Sequence, residues 1–225
     1  MRRTSGFGPG QVIPESRCRR FLEACGQHIK VYSGCRIINP VKVSIGDYSQ
    51  IDEGVFINGG TGVTIGAHVH LAFGSSISGG GECFIGDFAG VGAGVKIITG
   101  SEMIDGLLTN PTVPPEFRLV QRDRVVICPH AIIFTNALLL PGITIGAGAV
   151  VSAGSLVHRD LKPWRIYGGN PLVEIGRRPK EVVLKAGEEL TRTGYQFPAG
   201  EFPTPVFENS KSEIRKAKRE RKPKT

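Results

Sequence analysis

At 225 residues, 40% of them apolar, the chain is long enough for one well-buried domain and a tail. Glycine is abundant, at 31 residues, while Phe, Trp and Tyr together reach 7%; such a composition suits many tight turns around a narrow aliphatic interior. The net charge of +8 does not mark a nucleic-acid-binding body, because residues 211–225 hold eight Lys/Arg against two Glu and leave about +2 for the other 210.

The chain opens on MRRTSGFGPG, which is basic but has no apolar stretch of the signal-peptide kind. No apolar run approaches the ~20 residues of a spanning helix, so a cytoplasmic protein is expected. Cys18, Cys25, Cys35, Cys83 and Cys128 are an odd number without metal-finger spacing and read as reduced, small hydrophobes. Residues 14–26 place Cys18, Phe21, Leu22 and Cys25 on one helical face before Gly26, which predicts a short helix capping the domain within a segment 1–27.

A six-residue repeat then takes over. Aliphatic residues recur at Ile45, Ile51 and Ile57, at Ile65, Leu71 and Ile77, and at Ile85, Val91 and Ile97. After an interruption come Ile127, Ile133 and Leu139, then Ile145, Val151 and Val157; Val31, Ile37 and Val43 make a less regular beginning. The residue four later is usually small, as at Ser49, Ser75, Ala89, Ala137 and Ser155. Three hexapeptides make one coil, and coils stacked as parallel strands about 4.8 Å apart predict an all-β fold, a parallel β-helix of about six coils. An antiparallel sandwich would need period 2 and frequent turns, which this sequence lacks. The β-helix domain spans 28–170, and its interior should be too narrow for aromatic rings.

Between Ile97 and Ile127 the spacing is 30 residues, far more than the repeat requires, so a loop at about 99–124 is thrown out from the column. Long loops on rigid scaffolds are the usual place for chemistry. Past WRIYGGNP, residues 171–200 should form a strand and then a helix from about Pro179 to Thr193, and 201–225 a Pro-rich and basic tail. That tail reads as a solvated segment, or alternatively as weak docking to an anionic membrane face.

The coils, the loop with LTNPTVPPEF and the end pattern LPGITIGAGAVVSAGSLVHRDLKPWRIYGGNP together resemble the hexapeptide-repeat acetyltransferases, the galactoside-acetyltransferase-like and surface-polysaccharide sugar acetyltransferases above all. The resemblance covers roughly residues 28–180. It implies left-handed coiling, against the usual right-handed crossover rule. It also implies acetyl-CoA as co-substrate without a metal, and a homotrimer with active sites between neighbouring columns. The acceptor would be a sugar or nucleotide sugar, acetylated on a hydroxyl or amino group for surface polysaccharide.

By that resemblance Thr135, Ala153, His158 and Arg159 fall on donor-binding positions. Ser155 sits in the same coils, and Arg177 and Arg178 supply planar cations for the phosphates of coenzyme A. Where the galactoside and maltose enzymes carry a loop histidine, this sequence reads IITGSEMIDG, and no histidine lies between His70 and His130. His70 takes the role of general base instead: it immediately precedes the inward Leu71 and should face outward, as should His68. Glu102 or Asp105 would orient the acceptor or the imidazole, and Asn110 would join them in acceptor binding. The chain shows no nucleotide-binding βαβ unit, which favours a hydroxyl acceptor, or an amino sugar held only by the cleft.

Two other readings compete. A γ-type carbonic anhydrase needs three histidines converging on zinc, and the five here (28, 68, 70, 130, 158) include no pair five apart. A non-catalytic scaffold would have no use for the long loop or the GGNP end.

Overall fold

The six-residue register becomes three parallel sheets wound round one axis, in a computed structural model that describes residues 11–104 and 108–193. One face stacks Ala24–Cys25, Val43–Ile45, Gly62–Ile65, Glu82–Ile85, Val125–Ile127 and Thr144–Ile145. The second stacks Lys30–Val31, Gln50–Ile51, His70–Leu71, Gly90–Val91, Ile132–Ile133, Val150–Val151 and Arg165–Gly168, and closes with an antiparallel strand, Val173–Arg177. The third stacks Arg36–Ile38, Phe56–Asn58, Ser76–Ser78, Lys96–Ile98, Leu138–Leu139 and Leu156–Val157. The column thus runs to about seven turns, one more than the regular repeat suggests.

All fifteen regular aliphatic positions from Ile45 to Val157 are at most 2% exposed, and so are Ser49, Ser75, Ala89, Ala137 and Ser155. Each hexapeptide therefore turns two residues inward, one aliphatic and one small. Burying an aliphatic side chain contributes roughly 1.5–3 kcal/mol, so the repeat itself is the core.

The ends differ from expectation. Helix α1 covers only Glu15–Phe21, because the chain then enters the first sheet: Ala24 and Cys25 pair with Ser44 and Ile45. Cys25, Val31 and Ile37 are six apart and form the first coil. At the other end Leu161 bridges Ile145 and Tyr167 pairs with Val151, which adds a coil beyond the regular pattern. Tyr167 is 2% exposed, so an aromatic does enter the interior, in the last turn, where its hydroxyl accepts the Lys162 N–H at 3.1 Å.

Six other rings line one outer corner. His28, Tyr48, His68, Phe88 and His130 stack with centroids 4.9–5.1 Å apart, and Trp164 continues the row at 6.3 Å, tilted by 32°. All six have φ between 55° and 61°, a left-handed turn that costs an L-residue roughly 1–2 kcal/mol. Ring stacking, worth about 0.5–1.5 kcal/mol per pair, offsets that strain. Gly148 occupies the same corner between His130 and Trp164, and a Cβ there would stand 2.3 Å from the indole.

Helix α2 spans Lys180–Thr193, as predicted. The chain divides within it into one unit ending at Leu184 and another beginning at Lys185, of which residues 185–193 are described. The tail and its basic run lie outside the described residues. Among the described residues no helix is long and apolar enough to cross a membrane.

Candidate active site

Ile65, Val69 and Leu71 all turn inward, which forces His70 out onto the second face. One coil earlier Ile51 and Val55 turn inward, so Asp52, Glu53 and Gly54 form an outward turn. The two meet across the coils: His70 Nε2 lies 2.9 Å from Asp52 Oδ2. The other carboxylate oxygen accepts the Gln50 side-chain N–H at 2.8 Å. The imidazole side chain is 49% exposed and the aspartate 24%, so the pair sits at a surface with its anion partly shielded. With Nε2–H donated to the carboxylate, Nδ1 keeps its lone pair, the arrangement of an oriented general base.

Glu102 is held elsewhere. The loop root is an antiparallel ribbon of Gly100–Glu102 with Val120–Arg122, and both carboxylate oxygens of Glu102 accept N–H groups of Arg118. Within this chain the structure therefore brings His70 to Asp52, not to Glu102. Asn110 is exposed and accepts the N–H and hydroxyl of Thr112 at 3.0 and 2.9 Å, which sets a local turn. Asp105 lies outside the described residues.

Thr135 and Ala153 are exposed in the row of turns that also holds Glu53 and Phe73, and the Thr135 carbonyl accepts the Gly154 N–H at 2.9 Å. Ser155 departs from its expected place in a donor groove. It is 1% exposed, donates to the Ser152 carbonyl at 2.7 Å and accepts the Gly169 N–H at 3.0 Å, because the small residue of each hexapeptide points inward. His158 and Arg177 are exposed. Arg159 lies over Tyr167 with its guanidinium 5.8 Å from the ring centroid. Arg178 closes the aromatic row: it lies 5.9 Å from the Trp164 centroid and donates to the carbonyls of His130 and Gly148. Those bonds take up much of a cation the sequence assigned to phosphate.

His68 faces outward as expected, but into the stack between Tyr48 and Phe88. Burial pushes the pKa of both His68 and His130 down, and Arg178 adds to the effect at His130. All five cysteines are free; burial pushes Cys83 up to about 12 and Cys35 to about 11. Among the described residues no three His, Cys, Asp or Glu are grouped to hold a metal ion.

Sequence reasoning missed Asp52 and Gln50. Their signal was present: both stand outside the prism one coil before His70, and pairing the coils puts Gln50 directly beside it.

No family model matches the chain. The dTDP-4-amino-4,6-dideoxy-D-glucose acyltransferase of Escherichia coli is 30% identical over 164 residues, 72% of this chain and 85% of that protein. YvoF of Bacillus subtilis (strain 168) is 40% identical over 81 residues, 34% of this chain. The chain spans 45% of that relative's length, and about a fifth of several chloramphenicol acetyltransferases. Among solved structures, a mutant of AntD, an N-acyltransferase from Bacillus cereus, in complex with dTDP-4-amino-4,6-dideoxyglucose and coenzyme A, has a TM-score of 0.75 and 27% identity, covering 80% of this chain and 97% of that one. A further AntD structure holds dTDP and 3-hydroxybutyryl-CoA. The chain belongs to the hexapeptide-repeat acyltransferases, and its column is the left-handed β-helix of that family.

Proposed function

We propose that the protein transfers an acyl group, acetyl in the first instance, from coenzyme A to the amino group of a nucleotide-linked sugar. The single observation that carries this reading is the exposed His70–Asp52 pair on a column of acyltransferase type. The acceptor class draws support from the E. coli relative and from the nucleotide-sugar complexes of AntD. An amine is favoured over the hydroxyl that the missing βαβ unit suggested, because both of those proteins act on or bind a 4-amino sugar.

In this mechanism the amine attacks the thioester carbonyl, a C–N bond forms and the C–S bond breaks. His70 Nδ1 takes the amine proton, Asp52 stabilises the resulting imidazolium, and the proton passes to the departing thiolate. General-base assistance of this kind contributes roughly 10²–10⁴ in rate. Thr135 and Ala153 line the path of the pantetheine arm, with His158, Arg159 and Arg177 toward its phosphates and Asn110 toward the acceptor. The working assembly is a homotrimer with the loop of each subunit reaching a neighbour's cleft, and the product enters surface-polysaccharide synthesis.

The test is a panel of nucleotide-linked amino sugars, nucleotide-linked neutral sugars and simple glycosides with acetyl-CoA or 3-hydroxybutyryl-CoA, followed by thiol release and mass spectrometry. Acyl transfer to the amino sugars supports the reading. Transfer to neutral sugars alone moves it to O-acylation, and no coenzyme A binding returns the column to a scaffold.

A further inference from the structure

The outward row of the second face reads, coil by coil, Lys30, Gln50, His70, Gly90, Ile132, Val150 and Ile166. Every member but one carries a side chain. Gly90 has no reason of its own to be glycine. Its backbone is outside the left-handed region, and a Cβ built on it would meet nothing within 4 Å. Elsewhere in the column the reason is plain: a Cβ at Gly86 would stand 2.6 Å from Pro129, and Gly74 and Gly154 sit at φ +67° and +68°. Glycine inside a strand weakens it, so an unforced one commonly marks the close approach of something else.

Gly90 is the register partner of His70 on the side facing the later coils. On the opposite side Gln50 is the partner, and its amide is tied to Asp52, which closes that approach to the imidazole. One flank of His70 is therefore fenced and the other left bare. A general base must come within about 2.6–3.2 Å of the atom it deprotonates, so the group lying against His70 is the attacking acceptor rather than the leaving thiol.

We infer that Gly90 is a specificity-determining residue: the bare strand beside His70 seats the sugar ring that carries the attacking amino group. This rests on the acceptor reading proposed above. The ring lies against the strand where Gly90 lacks a side chain, and a Cβ or isopropyl group there occupies its place.

The experiment compares wild type, Gly90→Ala, Gly90→Val and His70→Gln in the full chain. It uses calorimetric binding of dTDP-4-amino-4,6-dideoxyglucose and of coenzyme A, thermal unfolding, and the oligomeric state by light scattering. Both Gly90 substitutions should leave the unfolding midpoint unchanged or raise it, with oligomer and coenzyme A affinity intact. Affinity for the amino sugar should fall stepwise from Ala to Val, by about tenfold or more at Val. Wild-type affinity for the amino sugar in Gly90→Val overturns the inference while leaving the His70 reading in place. Loss of the oligomer in Gly90→Val also overturns it, by showing that the bare strand accommodates a neighbouring column. A wild-type protein that binds coenzyme A but not the amino sugar overturns the acceptor reading and the inference with it.

Discussion

His70 Nε2 and Asp52 Oδ2, 2.9 Å apart, join adjacent coils of the column from positions eighteen apart in the chain. In the proposed mechanism the aspartate selects the tautomer and orients the ring, as a positioning residue for the base. Asp52→Asn should lower kcat by about tenfold or more, with coenzyme A affinity unchanged, and His70→Ala by about a hundredfold. The pH profile of kcat should change in Asp52→Asn, which a purely structural role would not produce. Wild-type turnover in His70→Ala would remove the base from this position.

The loop hairpin is fastened by Glu102 and Arg118, both 21% exposed. Glu102→Gln removes one charge from this pair and leaves the column untouched. Proteolysis between residues 103 and 119 should become faster, while the unfolding midpoint of the column stays within about a degree, because surface changes away from the core cost little. Unaltered cleavage kinetics would show that the ribbon alone holds the loop.

Gly148→Val places a branched side chain at φ +64° and drives it into the Trp164 ring. The strained backbone costs about 1–3 kcal/mol and the clash adds to it, so the unfolding midpoint should drop by several degrees. Arg178→Ala should act in the same direction, because its guanidinium caps Trp164 and bonds two carbonyls. An Arg178→Ala protein of normal stability but poor coenzyme A affinity would instead return this residue to the phosphates.

The aromatic row also sets a pH response. Burial holds His68 and His130 below their ordinary value of 6.5. As pH falls through that value the unfolded chain takes up protons that the folded chain refuses. The stabilisation is therefore complete above about 6.5 and declines until the depressed folded pKa is reached. Unfolding midpoints measured from pH 8 to pH 5 should fall on the acid side, and His68→Phe with His130→Phe should flatten that slope. A slope unchanged in the double variant would assign it to other groups.

On the donor side, Ala153→Phe should fill the exposed turn above Thr135 and weaken coenzyme A binding without unfolding the column. Calorimetry with coenzyme A alone tests it. Undiminished affinity would move the pantetheine path away from this row.

The fold was legible because a hexapeptide repeat is local: Ile65, Val69 and Leu71 announce their inward direction in the sequence, and with it the outward direction of His70. The two ends were less legible, since Cys25 and Tyr167 replace aliphatic residues where the repeat loses its regular chemistry. Ser155 was misplaced. It was assigned to the donor groove by its coil, although it stands four places after Val151, where the structure turns the small residue of each hexapeptide into the prism. The site was half legible. A conspicuous histidine can be read from its neighbours, but Asp52 is one of several outward acids, and nothing beside it in the chain separates it from Glu53.

The repeat alone settled the column, its three sheets and the inward direction of the aliphatic positions, because those follow from a pattern that recurs every six residues. Contacts between coils were left to the tertiary structure. Coil length varies between eighteen and twenty residues and the loop inserts about 22 more between Ile97 and Ile127, so side chains distant in sequence meet only once the coils stack. That stacking decided that His70 is held by Asp52, that Gly90 leaves one side of the imidazole bare, and that Arg178 ends a row of rings.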